Sequence, residues 1–372
     1  MTKANKKSTE EMERTVYTAS QGKLILMKFL HHKLALVGSI VLIIFYGVAI
    51  FANFFSYNDP QIYFDEFSNT PPMQIYFADE NGLSRPYYLG YVKERNSKTL
   101  QLEYKLDFSQ KHYLSFFGKG YEYTFLGMNC SRHFISGEEN HPFFLFGTDS
   151  LGRDIFSRII YGGRISLTIG LVGVVISFLL GCILGGISGY YGGVIDTVIQ
   201  RVIEFLLSIP TLPLWMALSA ALPRNWTMLQ TYFCITIILS ITSWTGLARV
   251  VRGKIISIKN EDYITAARLS GAGDMNIIVK HLLPSFLGYL IVNLTISIPN
   301  MILGETSLSF LGLGLQSPAI SWGVLLSDAQ NIRTIAMCPW IMIPGVFVVL
   351  VVLAFNFVGD GLRDAADPYK AS

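Results

Sequence analysis

Long unbroken apolar runs, not alternating buried and exposed positions, dominate the chain. Six of them reach the roughly 20 residues a helix needs to cross a bilayer core: 34–55, 165–187, 202–222, 228–247, 284–303 and 340–358. The first follows a basic tail and has no small-residue cleavage site behind it, which predicts an uncleaved anchor, not a signal peptide. Between the first and second runs the pattern changes. Segment 56–146 is polar overall, yet 21 of its 91 residues are Phe or Tyr. The stretches 87–91, 100–104 and 121–125 read as strands. A small β-rich cap that folds on itself is expected there; the same aromatics also suit a docking or substrate-guiding surface.

Composition agrees with a membrane protein. Of 372 residues, 51% are hydrophobic and 15% charged, and the mean hydropathy is +0.42, too apolar for an ordinary soluble domain. The net charge of +3 comes without the dense basic patch that nucleic acid would require. Cys130, Cys182, Cys234 and Cys338 are widely spaced and read as packing residues rather than a disulfide or metal set. Basic residues give the orientation. Lys3, Lys6, Lys7, Arg14, Lys23, Lys28 and Lys33 precede the first span, and Arg249, Arg252, Lys254, Lys259, Arg268 and Lys280 lie between spans four and five. The loop between spans three and four has only Arg224. The positive-inside rule therefore places the tail, the four-to-five loop and the C-terminus in the cytoplasm, and 56–146 outside. The expected fold is an all-α integral membrane protein of six helices with a β-rich extracytoplasmic insertion.

Within the spans, small residues recur every fourth position at Gly173, Ser177, Gly181, Gly185 and Gly189. On a helix this is one stripe where a neighbouring backbone can come close; packing within the bundle explains it more simply than a pore or subunit interface. Pro210, Pro213, Pro299 and Pro344 predict kinks. No span carries an ionisable residue in its middle: Glu204 falls near a cytoplasmic end, Glu305 just past the outer end of span five, and all six histidines lie outside. Ion-coupled transporters need such groups, so energy is expected from elsewhere. The phosphate-loop, HExxH and GxSxG patterns are missing, which disfavours an enzyme.

Segment 261–284, EDYITAARLSGAGDMNIIVKHLLP, parses as a short helix, a turn at Gly271–Gly273, and a second helix that Asp274 is placed to cap. Ala266 and Ala267 would let another protein close over the first helix. Its spacing resembles the coupling-loop signature of binding-protein-dependent ABC importer permeases, E-A-A-x3-G-x9-I-x-L-P. Ala266, Ala267, Gly271, Leu283 and Pro284 are in register, Thr265 replaces the usual Glu, and His281 stands at the Ile position as in the dipeptide, oligopeptide and nickel branch. The blocks 146–158, 189–193, 305–314 and 355–368 are similar to other blocks of the C-type peptide permeases, in the same order.

The resemblance implies a type I ABC importer permease divided into a cytoplasmic tail (1–33), a first transmembrane helix (34–55), an extracytoplasmic insertion (56–146), a permease domain (147–358) and a cytoplasmic C-terminal tail (359–372). It implies an ATPase-coupling loop containing Glu261, Asp262, Tyr263, Ala266, Ala267, Gly271, His281 and Pro284. It also implies partners: a second permease subunit, two ATPase subunits that hold ATP and Mg, and an extracytoplasmic binding protein, within membrane lipid. No cofactor is expected in this chain. A peptide is the expected cargo, with nickel chelates or another small solute as the alternative and an ion-coupled secondary transporter as a distant one.

Overall fold

The computed structural model describes residues 21–79, 82–95, 102–138, 141–223 and 225–366. Lys3, Lys6, Lys7, Arg14, Arg224, positions 100–101 of one expected strand and positions 367–372 of the C-terminal tail lie outside these residues.

Helix α1 (Gln21–His31) joins α2 (Lys33–Ile50) across His32, whose Nδ1 accepts the Ala35 amide at 3.1 Å and caps α2. The insertion follows. Strands β1 (Tyr76–Asp79), β2 (Gly82–Arg95) and β3 (Leu102–Tyr113) form an antiparallel meander. Strands β4 (Ser115–Phe116) and β7 (Ile135–Ser136) pair with each other, as do β5 (Lys119–Phe125) and β6 (Met128–Arg132). Leu126 and Gly127 turn the last hairpin with φ of 49° and 82°, the left-handed pair that a tight two-residue turn needs. Met73, Tyr88, Leu114, Phe143 and Phe144 are buried around Tyr57, giving the insertion its own core. That core rests on Phe156, whose ring stacks on Tyr57 at 5.1 Å.

The central element is α3 (Ile155–Tyr191), 37 residues and so about 55 Å long. It extends well past the expected span 165–187. Hydropathy stops at Arg158 and Arg164, but both side chains find acceptors: Arg158 Nη1 donates to the Pro60 carbonyl at 3.3 Å, and Arg164 donates to the Ala49 and Ile50 carbonyls at 2.8 and 3.1 Å. Arg164 thereby satisfies the open carbonyl end of α2.

The expected third span, 202–222, is not one straight helix. The chain forms α4 (Gly193–Ser208) and α5 (Thr211–Ala220), bent by 87° at their junction. Pro210 lacks an amide hydrogen and holds Ile209 in extended backbone, φ −96° and ψ 129°, which ends α4. Pro213 sits in the first turn of α5, and Pro344 at the second position of the last helix, where proline is tolerated. Pro299 lies inside a helix that continues through it.

Helix α6 (Met228–Ile258) outruns the expected span 228–247 by three turns. Two short helices, α7 (Asp262–Leu269) and α8 (Asp274–Ile277), lead to α9 (Leu287–Phe310). Helix α10 (Trp322–Leu326), a six-residue helix over Ile332–Met337 and the last span, α11 (Ile343–Ala366), follow. Among the described residues, five helices are long and apolar enough to cross a membrane, or six if the bent α4–α5 pair is one span. The chain is a multi-pass membrane protein.

Glu305 corrects the reading of span five. It lies inside α9, not beyond its end, and is fully buried. Its carboxylate accepts hydroxyls from Ser309 at 2.8 Å, Ser321 at 2.7 Å and Ser166 at 3.3 Å. The drop in hydropathy there marks a satisfied polar knot joining α3, α9 and α10, not a helix end.

Candidate functional site

The 261–284 segment has two faces. On the inner side Ile264, Ile277, Ile278 and Leu282 are buried against Cys182 of α3 and Leu247, Val251 and Ile255 of α6. On the outer side Tyr263, Leu269, Met275 and Val279 are exposed, Leu269 by 85%. Glu261 and Asp262 are also exposed. The two alanines divide between these faces. Ala266 is exposed and Ala267 half-buried against the inner cluster, because adjacent helical positions point about 100° apart.

Gly271 ends α7 in the left-handed region at φ +83°. Its amide bonds to the Arg268 carbonyl at 3.0 Å and the Ala272 amide to the Ala267 carbonyl at 3.1 Å, the two reverse bonds of a Schellman stop. A Cβ there would meet nothing within 4 Å, so the glycine is required by backbone conformation and not by crowding. Asp274 does not cap α8 as expected; Gly273 holds the cap position without a side-chain bond, and Asp274 Oδ1 instead accepts the Tyr190 hydroxyl at 2.8 Å. Arg268 lies over the Tyr190 ring at 5.7 Å, and Lys259 Nζ donates to the Gly189 and Tyr190 carbonyls at 3.2 and 3.3 Å. The end of α3 is therefore tied to α6, α7 and α8. Thr265, in the place of the usual carboxylate, bonds back to the Glu261 carbonyl at 3.4 Å.

Half-buried His281 lies in a single wide turn, Ile278–Leu282, before Pro284 in the one-turn helix Leu283–Ser285. Phe286, at φ −125°, breaks the helix, and α9 begins after it. Pro284 therefore precedes the span rather than starting it, the wide turn accommodating a ring that cannot donate a hydrogen bond.

The stripe on α3 faces α6 and α9. A Cβ on Gly181 would come within 2.9 Å of Leu247, on Gly185 within 2.5 Å of the Ala248 carbonyl oxygen, and on Gly189 within 2.8 Å of the Arg252 carbonyl oxygen. Gly173 lies under Met301, and Ser177 Oγ bonds to the Gly173 carbonyl at 2.9 Å.

Two features escaped the sequence reading. Arg252 of α6 forks onto both oxygens of Asp196 at 2.5 and 2.6 Å, while Ser188 Oγ donates to Asp196 at 2.5 Å. This fastens the start of α4 to α3 and α6. The pair is 56 residues apart, beyond any local pattern. The second is a polar stripe on α9: Asn293, Ser297 and Asn300 line an open cleft with Tyr289, Ile296 and Arg363. Its four- and three-residue spacing on an apolar helix was available as a signal.

Residues 150–371 match the family described as binding-protein-dependent transport system inner membrane component, and residues 20–72 match the N-terminal TM domain of oligopeptide transport permease C. The dipeptide transport system permease protein DppC of Bacillus subtilis (strain 168) is 44% identical over 225 residues, covering 60% of this chain and 68% of the relative. The oligopeptide transport system permease protein OppC of Escherichia coli (strain K12) is 41% identical over 224 residues, covering 60% and 72%. The inward facing MetNI methionine ABC transporter aligns with a TM-score of 0.42 at 20% identity, over 56% of this chain and 96% of that one, a likeness too loose to add weight. On the family match, which spans more than half of its length, the chain belongs to the binding-protein-dependent transport system inner membrane components.

Proposed function

We propose that this chain is the permease subunit of an ATP-driven importer of peptides, built on the type I plan and paired with a second permease. ATP and Mg belong to two separate ATPase subunits, and an extracytoplasmic binding protein delivers the cargo. The observation that carries this reading is the two-faced 261–284 segment. Its inner side is fused to α3 and α6, while its outer side offers Tyr263, Leu269, Met275 and Val279 outside the spans, where lipid cannot cover them and a protein partner can. The relatives named for dipeptide and oligopeptide transport support a peptide as cargo. The Asn293, Ser297 and Asn300 stripe suits a hydrated path completed by the second permease. The basic residues favour a cytoplasmic 261–284 segment and an outer 56–146 insertion.

The test is reconstitution of this chain with its second permease, ATPases and binding protein in liposomes. ATP-dependent uptake of labelled peptide is expected. Uptake by this chain alone, driven by a proton or sodium gradient, would refute the reading. In the same membranes Lys105→Cys should react with an impermeant thiol reagent from outside and Lys254→Cys only from inside.

A further inference from the structure

His112, Glu138 and His141 come together on the insertion, away from the coupling segment and the α9 cleft. One ligand atom from each lies within 4.8 Å of the others. His112, at the end of β3, is 4% exposed. Its Nδ1 meets Glu138 Oε2 at 2.8 Å. Glu138 Oε1 accepts the Tyr113 amide at 3.1 Å, so the carboxylate is oriented with one oxygen turned toward the imidazole. His141 is exposed, but its backbone is held: its amide donates to the Glu138 carbonyl at 3.1 Å and its carbonyl accepts the Tyr88 hydroxyl. The two imidazoles stack with centroids 4.0 Å apart.

We propose that this two-histidine, one-carboxylate cluster binds a divalent transition-metal ion of the zinc class. Imidazole nitrogen and carboxylate oxygen are the donors such borderline cations prefer, and three protein ligands leave a fourth position for water. Calcium and magnesium would require a shell of oxygens that the cluster does not offer. Metal–ligand bonds of about 2.0–2.1 Å put donors roughly 3.3 Å apart around a tetrahedral centre. Reaching that geometry opens the 2.8 Å contact slightly and swings the His141 ring off the stack. Both moves fall to the exposed Glu138 and His141, while buried His112 stays fixed. The ion takes the place of the proton between His112 and Glu138, and the Tyr113 amide keeps its hold on the other carboxylate oxygen as the outer-shell partner. Bound there, the ion clips the end of β3 to the segment that carries Phe143 and Phe144 into the insertion core.

The test uses the full chain, purified on a tag without histidine, stripped with a chelator and titrated with cobalt(II) and then zinc. One cobalt per chain with visible ligand-field bands is expected, displaced by zinc. His141→Ala and Glu138→Gln should each weaken binding at least tenfold with thermal unfolding of the metal-free protein unchanged; Glu138→Gln keeps the side-chain shape should the histidine variant fold poorly. Absence of stoichiometric cobalt would overturn the proposal. So would full affinity in both variants, or loss of the ion only on replacing His31 and His32.

Discussion

At Leu269 the loss of a partner contact can be told apart from a loss of folding. It is 85% exposed on the last turn of α7, so truncating it to alanine removes almost no contact within this chain. Alanine is also the better helix former, and the stability of the isolated subunit should stay within about 0.5 kcal/mol of the parent. If a partner ATPase covers this side chain, the loss falls on the interface alone. Burying a leucine is worth roughly 1.5–3 kcal/mol, or about a 10- to 100-fold weaker association. Ala267→Leu is the opposite case. That alanine is half-buried against Ile264 and its neighbours, so extra volume strains the inner cluster by about 1–3 kcal/mol and should lower the amount of subunit. Gly271→Ala should cost about 1–2 kcal/mol for its positive φ and leave uptake per subunit intact, since nothing stands in the way of a Cβ.

The assay is ATPase co-purification and peptide uptake, each normalised to subunit in the membrane. Leu269→Ala is expected to keep its subunit level and lose both activities; Ala267→Leu to lose subunit in proportion to activity. Parental co-purification and uptake in Leu269→Ala would refute the idea that the outer face of α7 seats an ATPase.

Further outcomes follow from the packing. Gly185→Val places branched carbons against the Ala248 carbonyl, where even a Cβ comes within 2.5 Å, and should abolish stable subunit, whereas Gly253→Ala, with nothing within 4 Å, should not; membrane-fraction immunoblots decide. Burial pushes the carboxyl of Asp154, the cap of α3, up to about 7. The folded chain then holds a proton that the unfolded chain releases near pH 4, so this contribution is complete below about pH 4 and is lost as pH rises to about 7, roughly 4 kcal/mol in all. Thermal unfolding across that range should show the decline, and Asp154→Asn should flatten it. Glu305→Leu strands three buried hydroxyls and should cost about 3 kcal/mol or more, while Glu305→Gln, which retains an acceptor, should keep most stability and normal uptake, measured by unfolding and transport.

Apolar length made most of the bundle legible, and it failed where polar groups are satisfied inside the protein. Arg164 and Glu305 both looked like the ends of spans because hydropathy charges each with a full desolvation cost. Arg164 recovers that cost on the carbonyls of α2 and Glu305 on three serines. The helices run on through both. Pro210 predicts a kink, but a bend of 87° depends on what α4 and α5 pack against, which local sequence does not encode. In segment 261–284 the helix–turn–helix parse is visible in Gly271 and the apolar spacing. The assignment of faces was not, since Ala266 and Ala267 look identical until the Ile264–Leu282 cluster fixes the rotation of α7. Asp274 has an N-cap residue type one position too late, and Tyr190, remote in sequence, claims its carboxylate.

The hydropathy pattern puts no carboxylate in mid-span and so disfavours proton or sodium coupling, but Glu305 is a buried carboxylate within a spanning helix. What disfavours it as a relay is its saturation. Both oxygens are occupied by hydroxyls of the same chain, and the residue is fully shielded from solvent. A relay group must exchange its proton with water in at least one state, and opening this site would break bonds from α3, α9 and α10 together. Asp196 is comparably engaged, by both arms of Arg252 and by Ser188. Each carboxylate serves to hold helices in register. Such ties, together with the α3–α6 seam and the Tyr190 contacts, join segment 261–284 and α4 to α3 and α6, which is the stiffness the proposed coupling would require. Behind the outer face of α7 lies the Ile264–Leu282 cluster packed on α3 and α6; if a partner ATPase seats on that face, as proposed, a push there would pass through side chains already in contact and would need no titrating group.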